Sequence, residues 1–357
     1  MSGPIHPFVY DALPYRVIFG SGTLDKLRAE TERLGIKRAL VLTTPQQAEQ
    51  GVEAGRRLGP LMAGQFSEAR MHTPVAVTEQ ALATIEANDI DGLIAIGGGS
   101  TIGLGKALSL RSDLPQIAVP TTYAGSEMTP ILGETSEGIK TTKRSREILP
   151  DTVIYDVDLT LGLPVPMSMT SGMNAIAHAV EALYAPDANP VISMMAESGT
   201  AALARALPKI KSDPRNLEAR TDALYGAWLC GACLGAVAMS LHHKLCHVLG
   251  GSFDLPHSET HSAVLPHAAA YNAVAAPEAM AQVARALGVS DAPLGLYDLA
   301  KSLGIQMDLA SLGMPEDGID RAADIAVQNP YANPRPIERE AIRALIARAY
   351  RGERPAA

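Results

Sequence analysis

Asn174 and His178 lie four residues apart, His243 and His247 repeat that spacing, and His257 follows. Residues four apart on a helix share a face. Seven of the nine histidines fall between positions 178 and 267, so imidazoles are concentrated in one stretch. Such a group can hold a divalent metal, donate hydrogen bonds to a developing oxyanion or transfer protons near neutral pH. An acid at position 174 would favour the metal, because a carboxylate supplies charge as well as an oxygen. Asn174 supplies only a neutral carbonyl oxygen. Three histidines can still hold zinc, so the residues alone leave both chemistries open. For His242, His261 and His267 a structural hydrogen bond is the expected role.

A second constellation lies earlier. Leu93-Ile94-Ala95-Ile96 leads into Gly97-Gly98-Gly99-Ser100-Thr101, followed by a helical pattern. Strand, glycine loop and helix together bring backbone N–H groups up to a pyrophosphate. Thr121 and Thr122 follow the next strand, where hydroxyls meet ribose and phosphate oxygens. Thr43 and Thr44 end an earlier strand. An acid there would hold a ribose 2′-hydroxyl and repel a 2′-phosphate. Threonine does neither strongly, so weak discrimination between NADH and NADPH is expected. Tyr123 is a further candidate donor of a proton or hydrogen bond. In the basic run Lys140, Lys143, Arg144 and Arg146, Arg144 is the candidate carboxylate binder.

The elements that must position these residues are legible in outline. Apolar runs at Arg38–Thr43, Gly92–Gly97, Gln116–Val119 and Thr152–Val157 read as buried strands. Helical patterns at Gly22–Leu34, Gln46–Leu58, Val75–Asn88 and Thr101–Leu110 alternate with them. That alternation predicts an α/β doubly wound parallel sheet, Rossmann-like. Beyond Asp156 strand signals stop, and Met169–Tyr350 reads as helical, broken at prolines. Two domains are expected: 1–162, binding a nicotinamide dinucleotide, and 163–357, all helical. A cleft between domains is the expected place for the site.

Composition narrows the class. The chain has 357 residues, 47% apolar and 19% charged, enough for two medium domains. A net charge of −8 argues against a nucleic-acid surface. Three cysteines are too few and odd for a disulfide framework, and Cys230 and Cys233 read as packed thiols in a buried helix. No signal peptide or membrane-spanning run is evident, so a cytoplasmic protein with no membrane partner is expected.

Taken together, these residues resemble the iron-containing alcohol dehydrogenase superfamily. The resemblance rests on the glycine loop, Pro120-Thr121-Thr122, Tyr155 to Thr160, the helix Gly172 to Glu181, the spaced histidines and Asn333-Pro334-Arg335-Pro336. It implies a nicotinamide-binding α/β domain, a helical domain and a homodimer. Lys140 matches a family lysine beside the cofactor. Metal-using members hold iron or zinc with one aspartate and three histidines. Carried over, these are Asn174, His178, His243 and His257, while His247 matches a histidine near the nicotinamide.

The chain departs from the metal-using pattern at Asn174, at Gly103 where an aspartate is common, and in a shortened Thr121 to Ser126 run. All three departures resemble one branch, the maleylacetate reductases. That branch reduces the carbon–carbon double bond of maleylacetate to 3-oxoadipate with NADH or NADPH in bacterial breakdown of aromatic compounds, and is described as needing no metal. The resemblance then implies a dicarboxylate substrate. His243 and His247 would line the reacting end as oxyanion or proton donors, and Asn174, His178 and His257 would bind substrate oxygens. Glycines 97–99 and Ser100 would hold the pyrophosphate. Three other readings are a metal-dependent alcohol dehydrogenase, which Asn174 opposes; a dehydroquinate-synthase-like lyase, whose extra cations the helix after Ser171 lacks; and a binding protein on the same fold, which the full cofactor loop opposes.

Overall fold

The computed structural model describes residues 7–356, apart from Pro14, Glu137, Gly138, Pro330 and the side chains of Ile139 and Lys140. The chain divides into two units, Leu13–Leu163 and Pro164–Ala357, the second also taking the residues up to Ala12. Residues 7–12 were expected with the first domain. They include the exposed Phe8, Val9 and Tyr10 and carry no strand, so the sheet does not take them in.

The first unit runs β1 (Arg16–Gly20), α1 (Leu27–Arg33), β2 (Ala39–Leu42), α2 (Ala48–Leu58), β3 (Met62–Phe66), α3 (Val75–Ala87), β4 (Gly92–Gly97), α4 (Gly99–Ser112), β5 (Gln116–Pro120), β6 (Ile131–Ser136), β7 (Ile139–Arg144) and β8 (Thr152–Asp156). Six strands form a parallel sheet in the order β1-β8-β5-β4-β2-β3. Strands β2, β4, β5 and β8 are buried throughout, as a sheet covered on both faces requires. These are the four strands the apolar runs predict. Edge strands β1 and β3 are only partly buried, so their sequences carry a weaker apolar signal. Ile94, Ile96, Ile117, Val119 and Ile154 pack with Leu27 and Leu58 of the helices into one core. Truncating one of these isoleucines to alanine removes about 2–5 kcal/mol of stability.

Chain order makes the site. From β2 the chain moves outward to β3, then crosses back to β4 on the other side of β2. Connections diverge at the carboxyl ends of β2 and β4, and such a switch point opens a crevice. Thr44 follows β2 and the glycine loop follows β4.

The second unit contains α5 (Val165–Leu183), α6 (Pro190–Ser212), α7 (Leu217–Ala236), α8 (Leu241–Phe253), α9 (His257–Ala273), α10 (Pro277–Leu287), α11 (Ala292–Leu303), α12 (Gly318–Ala326) and α13 (Arg339–Arg351). Side-chain caps start several of them: Asn189 accepts from the N–H of Ile192, Asn216 from Ala219 and Asp291 from Leu294. Helix α5 is buried from Ser168 to Leu183. Helices α6 and α7 meet through Gly199 and Gly226, where a Cβ on Gly226 would lie 2.8 Å from the carbonyl oxygen of Gly199. Cys230 and Cys233 face this core. Burial pushes the Cys230 thiol well up and that of Cys233 to about 12, so both pack as neutral thiols. No single helix among the described residues is long and apolar enough to cross a membrane.

Candidate active site

Three helices of the second unit bring the histidines together. Helix α5 carries Asn174, His178 and Glu181, α8 carries His242, His243, Cys246 and His247, and α9 begins with His257 and carries His261 one turn on. The register between α5 and α8 is set by Glu181. Its carboxylate accepts the backbone N–H of Ser240 at 3.0 Å and of His242 at 2.7 Å, so it caps the start of α8. It also lies 2.6 Å from Nδ1 of His243. Burial alone would raise the Glu181 carboxyl. The hydrogen bonds from His243 and from the Ser240 N–H work against that and help hold the group at about 2.

A carboxylate only accepts and an amide nitrogen only donates, so His243 gives its Nδ1–H to Glu181 and Nε2 of His178 accepts from Asn174. Nε2 of His243 lies 2.9 Å from Nδ1 of His178. His178 therefore donates from Nδ1, and its own Nε2 accepts. Nδ2 of Asn174 lies 3.4 Å from that nitrogen and donates to it. One direction runs through the whole series, from Asn174 to His178 to His243 to Glu181. It needs a neutral amide at its outer end, since a carboxylate has no proton to give. The other amide atom, Oδ1 of Asn174, is buried without a partner.

The cluster has two layers. His178 and His243 are 3% and 7% exposed, whereas His247 and His257 are exposed. His261 lies between them, its ring 4.3 Å from that of His257 and 5.0 Å from that of His243. His243, expected at the reacting end, has both ring nitrogens within hydrogen-bond distance of protein groups. The groups that reach solvent are His247 and His257.

At the family's metal positions the donors are already drawn into contacts with one another. Asn174 lacks charge, and His178 and His243 each have both ring nitrogens in the hydrogen-bonded series. Among the described residues, the close group of ligand atoms is instead His242, Cys246 and His261. Burial holds these three neutral, with the Cys246 thiol raised well up, His242 lowered to about 3 and His261 lowered well below its usual value. The thiol lies 3.3 Å from Nε2 of His242.

These buried imidazoles make stability depend on pH. Burial also lowers His267 to about 4, with Arg348 adding to the effect. For each, the unfolded chain takes up a proton below about pH 6.5 that the folded chain refuses. The sign is that stability is complete above pH 6.5 and falls as pH drops toward 4. Each histidine contributes up to about 1.4 kcal/mol per pH unit in that window. Urea midpoints at pH 7.5, 6 and 5 should fall accordingly, and equal midpoints would contradict neutral burial.

The first unit holds the second constellation. Gly98 precedes α4 with no side-chain cap, leaving the first N–H groups of that helix open. Gly99 is exposed, and a Cβ there would meet nothing within 4 Å. Gly97 has φ +153°, and a Cβ there would lie 2.5 Å from Oγ1 of Thr101 and 2.7 Å from Oε1 of Gln47. The Thr101 hydroxyl is buried without a partner beside this loop. An uncapped helix start, an open glycine and an orphaned hydroxyl fit a pyrophosphate.

Gln47 was not singled out from the sequence. It donates to Oγ1 of Thr121 at 2.8 Å and its Oε1 lies 3.3 Å from the hydroxyl of Thr44, tying together the loops after β2 and β5. Lys106 was also missed. Its fully buried ammonium donates to Thr129 Oγ1 at 2.9 Å and to the Ile131 carbonyl at 3.0 Å, anchoring the segment that follows Thr121 and Thr122. Gly103 gains a local reason: a Cβ there would collide with Oγ1 of Thr73.

Other expected residues fare differently. Thr43 is fully buried and its hydroxyl bonds Ser67 at 2.9 Å, so it is withdrawn as a cofactor contact. Thr44, Gly98, Ser100 and Thr122 are partly exposed. Tyr123 is fully buried. Arg144 is exposed at the end of β7. Lys140 lies on β7 with its side chain outside the described residues.

Comparison with known proteins adds the following. Residues 14–157 match the family model described as iron-containing alcohol dehydrogenase, and residues 168–350 match the C-terminal model of the same family. The chain is 58% identical over 348 residues to a maleylacetate reductase of Sphingobium indicum, covering 98% of this chain and 99% of that one. It is 56% identical over 351 residues to one from a Rhizobium species, covering 98% and 100%. A crystal structure of maleylacetate reductase from Agrobacterium tumefaciens superimposes with a TM-score of 0.96 at 56% identity, covering 98% of this chain and all of that one.

Proposed function

The chain belongs to the iron-containing alcohol dehydrogenase family, and we propose that it reduces the carbon–carbon double bond of maleylacetate to 3-oxoadipate with NADH or NADPH, without a metal. The observation that carries the metal-free part is the hydrogen-bonded series from Asn174 through His178 and His243 to Glu181. It puts an amide where metal-using relatives place an acid and engages two of the three ligand histidines. The similarity to maleylacetate reductases over 98% of the chain supports the substrate.

When bound, the reduced nicotinamide supplies a hydride to the alkene carbon β to the ketone. The alkene pair then moves toward the ketone oxygen, giving an enolate, and one proton on the α carbon completes 3-oxoadipate. The protein must stabilise the oxyanion, deliver that proton and hold two carboxylates. His247 and His257, the exposed imidazoles, carry the first two tasks as hydrogen-bond and proton donors. The inner pair holds the site in one tautomeric state, since Glu181 fixes His243 and His243 fixes His178. Asn174 orients His178 through its amide nitrogen. Glycines 97–99, Ser100 and Thr122 hold the pyrophosphate and ribose, positioned by Gln47, Thr101 and Lys106. Threonine at position 44 neither repels a 2′-phosphate nor grips a 2′-hydroxyl strongly, so both cofactors should serve.

The direct test mixes the purified chain with maleylacetate and each cofactor. The expected result is oxidation of one nicotinamide per substrate with 3-oxoadipate as product. If neither cofactor is oxidised, or if only simple aldehydes are reduced, the substrate reading fails.

A further inference from the structure

A cavity of about 130 Å³ lies away from the histidine cluster, between α9 and α13. Helix α9 contributes His267 and Tyr271, one turn apart on one face. Helix α13 contributes Leu345 and Arg348, the segment before it Arg335, and the chain's last residues Ala356. The walls carry three nitrogen-bearing groups with capacity left over. His267 is 3% exposed, and its Nε2 has no partner. Arg335 lies 4.2 Å over the Tyr271 ring and donates one N–H to the Tyr271 carbonyl at 3.3 Å. Arg348 donates one N–H to the Ala356 carbonyl at 3.0 Å. A guanidinium has five donors, so most remain.

Neighbouring arginines make the contrast. On the same helix Arg339 holds Asp320, Asp324 and Glu340, Arg343 holds Asp320, and Arg351 holds Glu353. Arg335 and Arg348 hold no carboxylate among the described residues. Glu353 is the acid that senses both Arg348 and His267, but its two oxygens are on Arg351. In a chain of net charge −8, two guanidiniums left unneutralised around an unpartnered buried imidazole nitrogen call for an anion from outside.

We propose that Arg335, Arg348 and His267 form a binding site for one small oxyanion, a monocarboxylate or inorganic phosphate, that joins the C-terminal segment to α9. Guanidinium forks match the planar pair of oxygens on such ions. The cavity is partly open, with about 470 Å³ of empty space, which accommodates such an ion. None of its lining residues takes part in the proposed reaction, so the two proposals stand or fall separately. Helix α9 also begins with His257, so an ion here stabilises the element that presents that residue.

The test is thermal unfolding of the full chain in phosphate, acetate and chloride at equal ionic strength. Phosphate, acetate or both should raise the midpoint saturably above chloride, and whichever does so identifies the source. Arg348→Gln should weaken that binding at least about tenfold. Should this variant fail to fold, Arg335→Lys keeps the charge, removes the fork and should weaken binding in the same way. Equal midpoints in all three salts overturn the proposal. So does a saturable shift that persists unchanged in the folded variants.

Discussion

Glu181→Gln is expected to lower turnover by about 10²–10⁴-fold in a protein that still folds. The carboxylate accepts three backbone N–H groups at the start of α8, those of Ser240, His242 and His243, and the Nδ1–H of His243. Glutamine offers one acceptor oxygen and turns two donors into the same place. His243 then loses the partner that keeps its proton on Nδ1. If that proton moves to Nε2, it confronts the Nδ1–H of His178, and the series can no longer run in one direction. Each buried donor left without an acceptor also removes about 1–3 kcal/mol of stability. The readouts are kcat, its pH profile and the urea midpoint. A merely structural role would move the midpoint and leave the pH profile alone. A folded variant with wild-type turnover and profile would contradict the positioning role of Glu181.

Asn174→Asp should also slow turnover, through the opposite change at the other end of the series. An aspartate cannot donate to Nε2 of His178, so that nitrogen must take the proton and Nδ1 must become an acceptor. His243 would then need protons on both nitrogens, one held by Glu181 and one pointing at His178. The added charge also completes the acid-and-three-histidine set of the metal-using relatives. A unit charge about 4 Å from an ion in partly buried surroundings is worth roughly 4 kcal/mol, or more than 10²-fold in affinity. The variant should therefore retain zinc after dialysis where the parent does not, and should reduce maleylacetate at least tenfold more slowly, on the order of one buried polar group left unsatisfied. No zinc retained and unchanged turnover would show that residue 174 does not separate the two chemistries.

What the sequence makes legible follows physical rules. The four central strands are buried on both faces, so they appear as unbroken apolar runs. The two edge strands face solvent in part, and Gly64 and Gln65 dilute β3 below recognition. The glycine loop is readable because a chain with Gly at 97, 98 and 99 must approach something closely. Gln47 is not, because an exposed-looking amide in a helix start gains meaning only once β2, β4 and β5 stand side by side.

In the helical unit the spacing of Asn174, His178, His243 and His247 shows which helix faces matter. It does not show that α5 and α8 meet through Glu181. Nor does spacing separate the exposed His247 and His257 from the inner His178 and His243, because burial depends on what packs above each ring. Position is no fuller a guide for Thr43 and Tyr123: a polar residue near a strand end is placed by the chain, yet its side chain can turn into the core.

The most direct measurement is the initial rate of NADH oxidation with maleylacetate before and after exhaustive chelator treatment. Metal content is determined on the same samples. An undiminished rate in metal-free protein, with 3-oxoadipate formed, is the expected result, and it makes the hydrogen-bonded histidines rather than an ion the partners of the developing charge. A rate that vanishes with the metal and returns with zinc or iron would contradict it and would mean that Asn174, His178, His243 and His257 rearrange around an ion.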